Sequence, residues 1–479
     1  MLRSTLRVVL VLVLISLAIL VPVILSGYSE LEKAKTSTSY QDVAKHYKNA
    51  GQRLPWRADL YELSGHAYYY AKEYEQADTV YQKAFQHRAL SPDGWVAWGD
   101  VLYLNGDPEA ATQIWQDALQ ERNPSEKLFS RLSQVYKENG DYSRAAEYLQ
   151  KYVALHSDDA SAHYRLGLLL TLTDPDEALS ELISASQLDP QLGPAVETLR
   201  SALNLASLND SASERSVLTG RGLALVQEWE LARFAFESAI AADQENAEAW
   251  AWLGEAKHQA GAALSAAGPA SGGDEALSKG EDGAADLERA YQLNPSSSTV
   301  RGLRGLYFQR TGNFREALIE FQTAAVLDDK NPAWQVSVGE TYSKLGDLIR
   351  ALQAYQTATT LAPDDSNYWR LLAIFCGQNN VNVKDVGIPA AQKLVLLTKD
   401  DASALDILGW LLLLDKRYEE AERQLVHALA RDPQNASAHL HLGMLYLERE
   451  QRDLAYSQFI NARDLGSGDA EAILNTYFP

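Results

Sequence analysis

A small residue returns every 34 positions along most of this 479-residue chain. Gly65, Gly99, Ser133 and Gly167 keep that step, and so do Gly220 and Gly254, then Gly305, Gly339 and Ala373, then Gly409 and Gly443. A period of this length means that one short supersecondary unit is copied, because a segment of 34 residues cannot bury an apolar face alone and must stack on its neighbours. The stretch from Pro332 to Asp365 shows the unit most clearly. Two amphipathic helices are expected there, roughly Trp334 to Lys344 and Leu348 to Leu361, joined by a turn at Gly346-Asp347. Gly339 and Ala351 are small where the helices cross, while Tyr342 and Tyr355 fill the space to either side. Pro363, with no N–H to continue a helix, ends the second one.

Within that unit Gly339, Tyr342, Gly346, Ala351, Tyr355, Ala358 and Pro363 stand at positions 8, 11, 15, 20, 24, 27 and 32. This pattern resembles the tetratricopeptide repeat. Alanine recurs at position 20 in Ala77, Ala111, Ala145, Ala232, Ala317, Ala421 and Ala455, and the likeness extends over about residues 39 to 479 in eleven units. The resemblance implies an all-α, right-handed superhelical solenoid of helix hairpins that works by binding other proteins. Its groove would be lined by the first helix of each unit, near positions 2, 5, 9 and 12. Some members of the family clamp a peptide's terminal carboxylate with lysine and asparagine at positions 5 and 9. Here those pairs are Glu62/His66, Val96/Asp100, Ser130/Gln134 and Tyr164/Leu168 in the first four units, which does not fit that clamp.

The interruptions divide the array. Between Gly167 and Gly220 the surplus residues hold an extra amphipathic helix, Pro194 to Leu205, followed by the polar NDSASERS, so a boundary is expected near residue 210. Residues 39–209 then form an N-terminal array and 210–479 a C-terminal one. Between Gly254 and Gly305 an Ala/Gly/Ser-rich insertion, residues 262–282, is expected to be a loop that proteases cut first. The turn GQNNVNVKDVGIP in the ninth unit is enlarged. Asp469 to Phe478 is expected to cap the last repeat, with Ile473, Leu474, Tyr477 and Phe478 covering it.

Ahead of the array lies Val8 to Leu25, an uncharged run of 18 residues preceded by Arg3 and Arg7. At about 1.5 Å per residue such a run just spans a hydrocarbon core of roughly 30 Å, as a short membrane helix or a long signal-peptide core. Ser26 and Gly27 lack the A-x-A pattern, which favours an uncleaved anchor. Leu25-Ser26-Gly27-Tyr28 looks like a lipoprotein box with tyrosine in place of the lipidated cysteine. Because Arg3 and Arg7 lie closer to the run than Lys33, Lys35 and Lys45, the repeats are expected on the non-cytoplasmic side. Residues 1–28 thus read as tail and anchor and 29–38 as a tether. Residues 39 to 55 read as an unpaired second helix that caps the near end.

The repeats leave little room for an enzyme: no phosphate-binding loop, H-E-x-x-H, G-x-S-x-G or dinucleotide fingerprint is present. No cofactor or metal is implied. His439 and His441, two residues apart on one helix, point to different sides, and His427 lies on the helix before. A net charge of −21 argues against sequence-independent binding to nucleic acid, which needs a basic footprint. The lone Cys376, in the apolar LLAIFC, reads as an inert buried thiol and rules out an internal disulfide.

What remains is protein binding. Units one to three present a mixed charged lining: Asp59, Glu62, Asp93, Asp100, Lys127, Arg131 and Lys137. Units nine to eleven present Ile374, Trp410, Leu413, Leu440, Met444 and Leu447, and the helix GWLLLL, Gly409 to Leu414, is apolar all round. These six are the candidate protein-binding residues, with Trp410 the expected anchor. A membrane-anchored scaffold or adaptor is the first reading, with other proteins, membrane-complex subunits among them, as partners and the bilayer engaged through Val8 to Leu25. A structural accessory subunit of a secretion, pilus or polysaccharide-export assembly is the second, and an enzyme the third.

Overall fold

The computed structural model describes residues 2–266 and 283–478. The described residues are all-α and fall into two compact units, the first running to Ala235 and taking in Ser265 and Ala266, the second holding Phe236–Leu264 and the described residues from Gly283 onward. The first holds α1 (Leu2–Thr36), α2 (Tyr40–Arg53), α3 (Asp59–Tyr70), α4 (Tyr74–Gln86), α5 (Pro92–Leu104), α6 (Pro108–Ala118), α7 (Lys127–Glu138) and α8 (Tyr142–Leu155). It continues with α9 (Ala160–Leu170), α10 (Pro175–Leu188), α11 (Gly193–Ser207) and α12 (Ala212–Leu225), and the boundary falls inside α13 (Trp229–Ala242). The second unit holds α14 (Ala247–Ala266) as far as Leu264, α15 (Ala284–Leu293), α16 (Ser298–Arg310), α17 (Phe314–Leu327), α18 (Pro332–Lys344), α19 (Leu348–Leu361) and α20 (Ser366–Gln378). A π-helical turn, Val383–Gly387, enlarges the ninth unit before α21 (Ile388–Thr398), α22 (Ala402–Leu414), α23 (Tyr418–Arg431), α24 (Ala436–Glu448), α25 (Arg452–Asp464) and α26 (Gly468–Tyr477). Within each unit consecutive helices pack as antiparallel hairpins stacked side by side. Most of the insertion expected at 262–282 lies outside the described residues.

One contact recurs through both units and explains the 34-residue ruler. The position-8 glycine faces the large position-24 residue of the partner helix, so a Cβ on Gly65 would lie 2.6 Å from the Tyr81 ring. On Gly99 it would lie 2.0 Å from Trp115, and on Gly305 and Gly443 2.6 and 2.7 Å from Phe321 and Phe459. Any side chain there would drive the helices apart. Position 20 is closed as well, with Ala77, Ala111, Ala317, Ala351 and Ala455 fully buried. Helix starts follow the usual chemistry. Ser91, Asp107, Asp141, Asp159, Asp347 and Asn435 each accept a hydrogen bond from a backbone N–H of the first turn.

The N-terminal region departs from expectation. Residues 29–36, expected as part of a tether, continue α1 without a break. Gly27, Leu31 and Ala34 are buried, with Ile24 half-buried, at helical spacing on one side of α1, and Leu31 packs with Ala50, Leu54 and Leu60. Glu30, 7% exposed, holds the pair together from the same side: His46 Nδ1 lies 2.7 Å from its carboxylate, Lys33 Nζ 2.9 Å and Arg53 3.3 Å. The hydrogen bond with His46, then that from Lys33, holds the Glu30 carboxyl down at about 2. α2 is therefore not an unpaired cap. The last turns of α1 and the whole of α2 form a hairpin ahead of the repeat at Gly65.

The start of α1 has the opposite character. Among the described side chains from Leu10 to Val23 every one is exposed. By length and composition this helix is able to cross a membrane.

Candidate functional site

On the first unit, consecutive first helices of the repeats are linked by their charges. Lys127 reaches Asp93 at 3.1 Å, one full repeat away, and Arg131 grips Asp100 through two nitrogens at 2.7 and 3.1 Å. Tyr103 donates to Glu138 at 2.6 Å, which pushes the phenol up to about 12. Lys137 lies 3.7 Å from Glu228. Asp59 pairs with Arg57 at 2.8 Å. Glu62 accepts from the Ser91 amide and hydroxyl, both at 2.6 Å. Burial would raise its carboxyl, but the bonds from His66 and Ser91 prevail and hold it below the usual range. The seven charged residues expected on this face are thus paired within the chain. Beside them opens a cavity of about 220 Å³ lined by Tyr69, Asp100, Tyr103, Trp115, Arg131 and Gln134.

On the second unit the six expected contact residues come together but differ in exposure. Leu413 is 6% exposed and belongs to the core formed with Leu408, Leu411 and Leu442. Ile374, Trp410 and Met444 pack half-buried against that core, and Leu440 and Leu447 do the same against Phe459 and Leu474. The Trp410 ring covers Gly377, whose Cβ would come within 2.4 Å of it, and stacks on His441 with centroids 5.4 Å apart and planes 10° apart. Trp410 therefore ties three first helices together while leaving part of its ring open. His441 turns its Nδ1 to buried Asp406 at 2.7 Å, and His439 turns to Gln458 at 2.6 Å. The two imidazoles serve separate contacts. Among the described residues no group of three His, Cys, Asp or Glu side chains is placed to hold a metal. Cys376 is fully buried, and burial pushes its thiol up to about 11.

A third surface was not singled out from the chain. α11 packs along α12 through Gly222, whose Cβ would lie 2.4 Å from that of Ala202. Between them runs a groove of about 420 Å³ lined by Glu197, Thr198, Ala202, Leu205, Arg221 and Leu225. Leu225 in its lining is exposed, as is Leu208 just beyond α11. The signal was present, since an extra helix in a paired array must find a partner, but nothing in its spacing says which of its leucines stays outside.

With this geometry in view, comparison with known proteins is informative at the level of the repeat. A profile of the tetratricopeptide repeat matches residues 63–127, 131–192 and 408–470, and a second profile of the same repeat matches 335–365. These stretches are tetratricopeptide repeats. The chain is 24% identical over 256 residues to anaphase-promoting complex subunit 3 of Schizosaccharomyces pombe, which covers 52% of this chain and 34% of that protein. It thus spans about a third of the length of that relative. Among solved structures, yeast Tom70 aligns over 96% of this chain and 95% of its own at 14% identity, with a TM-score of 0.37. The Cut9–Hcn1 hetero-tetramer of the anaphase-promoting complex aligns over 95% of each chain at 14% identity and 0.36. PilF of Pseudomonas aeruginosa aligns over 49% of this chain and 98% of its own at 20% identity and 0.35.

Proposed function

We propose that this tetratricopeptide chain is a membrane-anchored scaffold that binds other proteins. The observation that carries the reading is α1, whose described side chains from Leu10 to Val23 are exposed while its last turns are built into the first hairpin. That exposed apolar run would make an aggregation site in water, whereas a bilayer satisfies it. The repeats are held on the non-cytoplasmic side, by the position of Arg3 and Arg7. The partner face on the second unit is the half-buried apolar set Ile374, Trp410, Leu440, Met444 and Leu447, with Leu413 supporting it from the core. An apolar side chain of a partner segment laid there would displace water from surface that the array leaves partly open.

Two measurements test this reading. The full-length chain is expected to stay with membranes after an alkaline carbonate wash, and a reporter fused at its C-terminus to signal a non-cytoplasmic location. A photo-crosslinking residue in place of Leu447 is expected to give discrete adducts in membranes that the same residue at exposed Lys416 does not. Release by carbonate ends the anchor reading, and identical adducts from both positions end the assignment of the face.

A further inference from the structure

We propose that the turn between α2 and α3 is a second contact with the bilayer, in which Trp56 seats its indole at the headgroup level of the membrane that α1 crosses. This rests on the reading of α1 as a membrane span. The geometry is set by Gly27, whose Cβ position lies 2.6 Å from Leu54 Cγ and 3.1 Å from Arg53 Cβ. The apolar run ends at Leu25, so that contact lies two residues, about 3 Å, beyond it along the helix axis. α2 runs antiparallel to α1 and its last turn comes back down to this level, with Leu54 against Gly27 and Ile24 packed in the same cluster. Pro55 and Trp56 then project from the end of α2 that faces the apolar run.

Trp56 is 56% exposed, and of the ten tryptophans, all among the described residues, it alone is exposed. Tyr28, 48% exposed, stands at the same height on α1. Tryptophan and tyrosine partition to the membrane–water interface because an apolar ring with one polar atom suits a zone that is wet on one side and oily on the other. The nearby cations are already engaged, Arg53 with Glu30 at 3.3 Å and Arg57 with Asp59 at 2.8 Å. The indole, rather than charge, carries the contact, and it holds for either orientation of the chain.

The test uses the full-length protein in phosphatidylcholine vesicles, with Cys376→Ser removing the buried native thiol. Single cysteines at Leu17→Cys, Pro55→Cys and Thr36→Cys carry an environment-sensitive fluorophore, and lipids spin-labelled at shallow or deep positions serve as quenchers. Pro55→Cys keeps Trp56 in place, and Thr36 is the far end of the same hairpin. The label at 55 is expected to be quenched by shallow-labelled lipid at least threefold more than the label at 36, and adding Trp56→Ser is expected to halve that difference. Equal quenching at 55 and 36, with the label at 17 quenched by deep-labelled lipid, overturns the second contact while leaving the span intact. No lipid quenching at 17 overturns the span itself and this proposal with it.

Discussion

At the scale of the residue, the repeat is governed by two positions with opposite demands. Position 15 takes a left-handed backbone in nine of the turns between paired helices: Gly106, Gly140, Gly312 and Gly346 adopt φ between 75 and 86°, and Lys72, Gln227, Asn380, Lys416 and Glu450 adopt 50 to 65° at the same place, whereas Asp174 between α9 and α10 caps its helix at φ −141°. A side chain held there is strained by about 1 kcal/mol or more. Lys416→Gly and Glu450→Gly are therefore expected to raise stability, each by up to about 1 kcal/mol after the entropy of the freer unfolded chain is set against the relief. The denaturation midpoint should rise with its slope unchanged. Position 8 demands glycine for want of space. Gly99→Val, forced into the Trp115 ring, is expected to cost about 3 kcal/mol, whereas Gly193→Ala at the start of α11 meets open space and should leave the melting temperature nearly unchanged. Both positions are legible in the chain because the same small-against-large contact is repeated many times. Where position 15 is not glycine, as at Lys72, the turn is read only from its neighbours.

At the scale of the element, α1 shows why a pattern of charges misleads. Glu30, Glu32, Lys33 and Lys35 give residues 29–38 the composition of a tether, yet Ile24, Gly27, Leu31 and Ala34 fall on one face and Glu30 is satisfied by α2. Only Leu31 beyond the apolar run is plainly hydrophobic, and a glutamate buried among a histidine, a lysine and an arginine carries no signature in sequence. The pairing has a pH consequence. The Glu30 carboxyl sits near 2 in the folded hairpin against an ordinary 4.5, so its stabilisation is complete above about 4.5 and is lost as the pH falls through that interval toward 2. Amide exchange in α1 after Gly27 and in α2 is expected to quicken across that window ahead of α7 and α8, and Glu30→Gln is expected to remove the difference while costing about 2 kcal/mol at neutral pH. Truncation separates the two halves of the helix. A chain beginning at Ile24 should be released from membranes with the hairpin folded, whereas one beginning at Ser37 should expose Tyr47, Ala50 and Leu54 and melt α2 first, as read by limited proteolysis.

At the scale of the whole molecule, the all-α fold and the hairpin rhythm follow from the ruler, while the proposed partner face follows only in part. Sequence places Trp410 on a groove-lining helix but cannot show that Gly377 leaves a hollow for its ring or that His441 stacks on it. Trp410→Ala is accordingly expected to lower stability as well as partner capture, by roughly 3 kcal/mol, with thermal unfolding and pull-down both shifted. A melting temperature within a degree of the parent would mean that the ring contributes little packing. The charged face of the first unit was legible as residues and not as pairs, since Lys127 meets Asp93 and Arg131 meets Asp100 from α7 to α5, across one repeat.

On the proposed reading of α1 as a membrane span, its continuity with the first hairpin has a mechanical outcome. A flexible leader would let the array drift over the lipid surface in any attitude, but α1 passes its own inclination directly to α2. A span of 18 residues is short for most bilayers, and helices answer thickness by tilting, or by drawing the lipid thinner around them. On that proposal the attitude of the first hairpin becomes a readout of local bilayer thickness, and Pro22, which gives no hydrogen bond to the turn before it, marks where that lever is most easily bent.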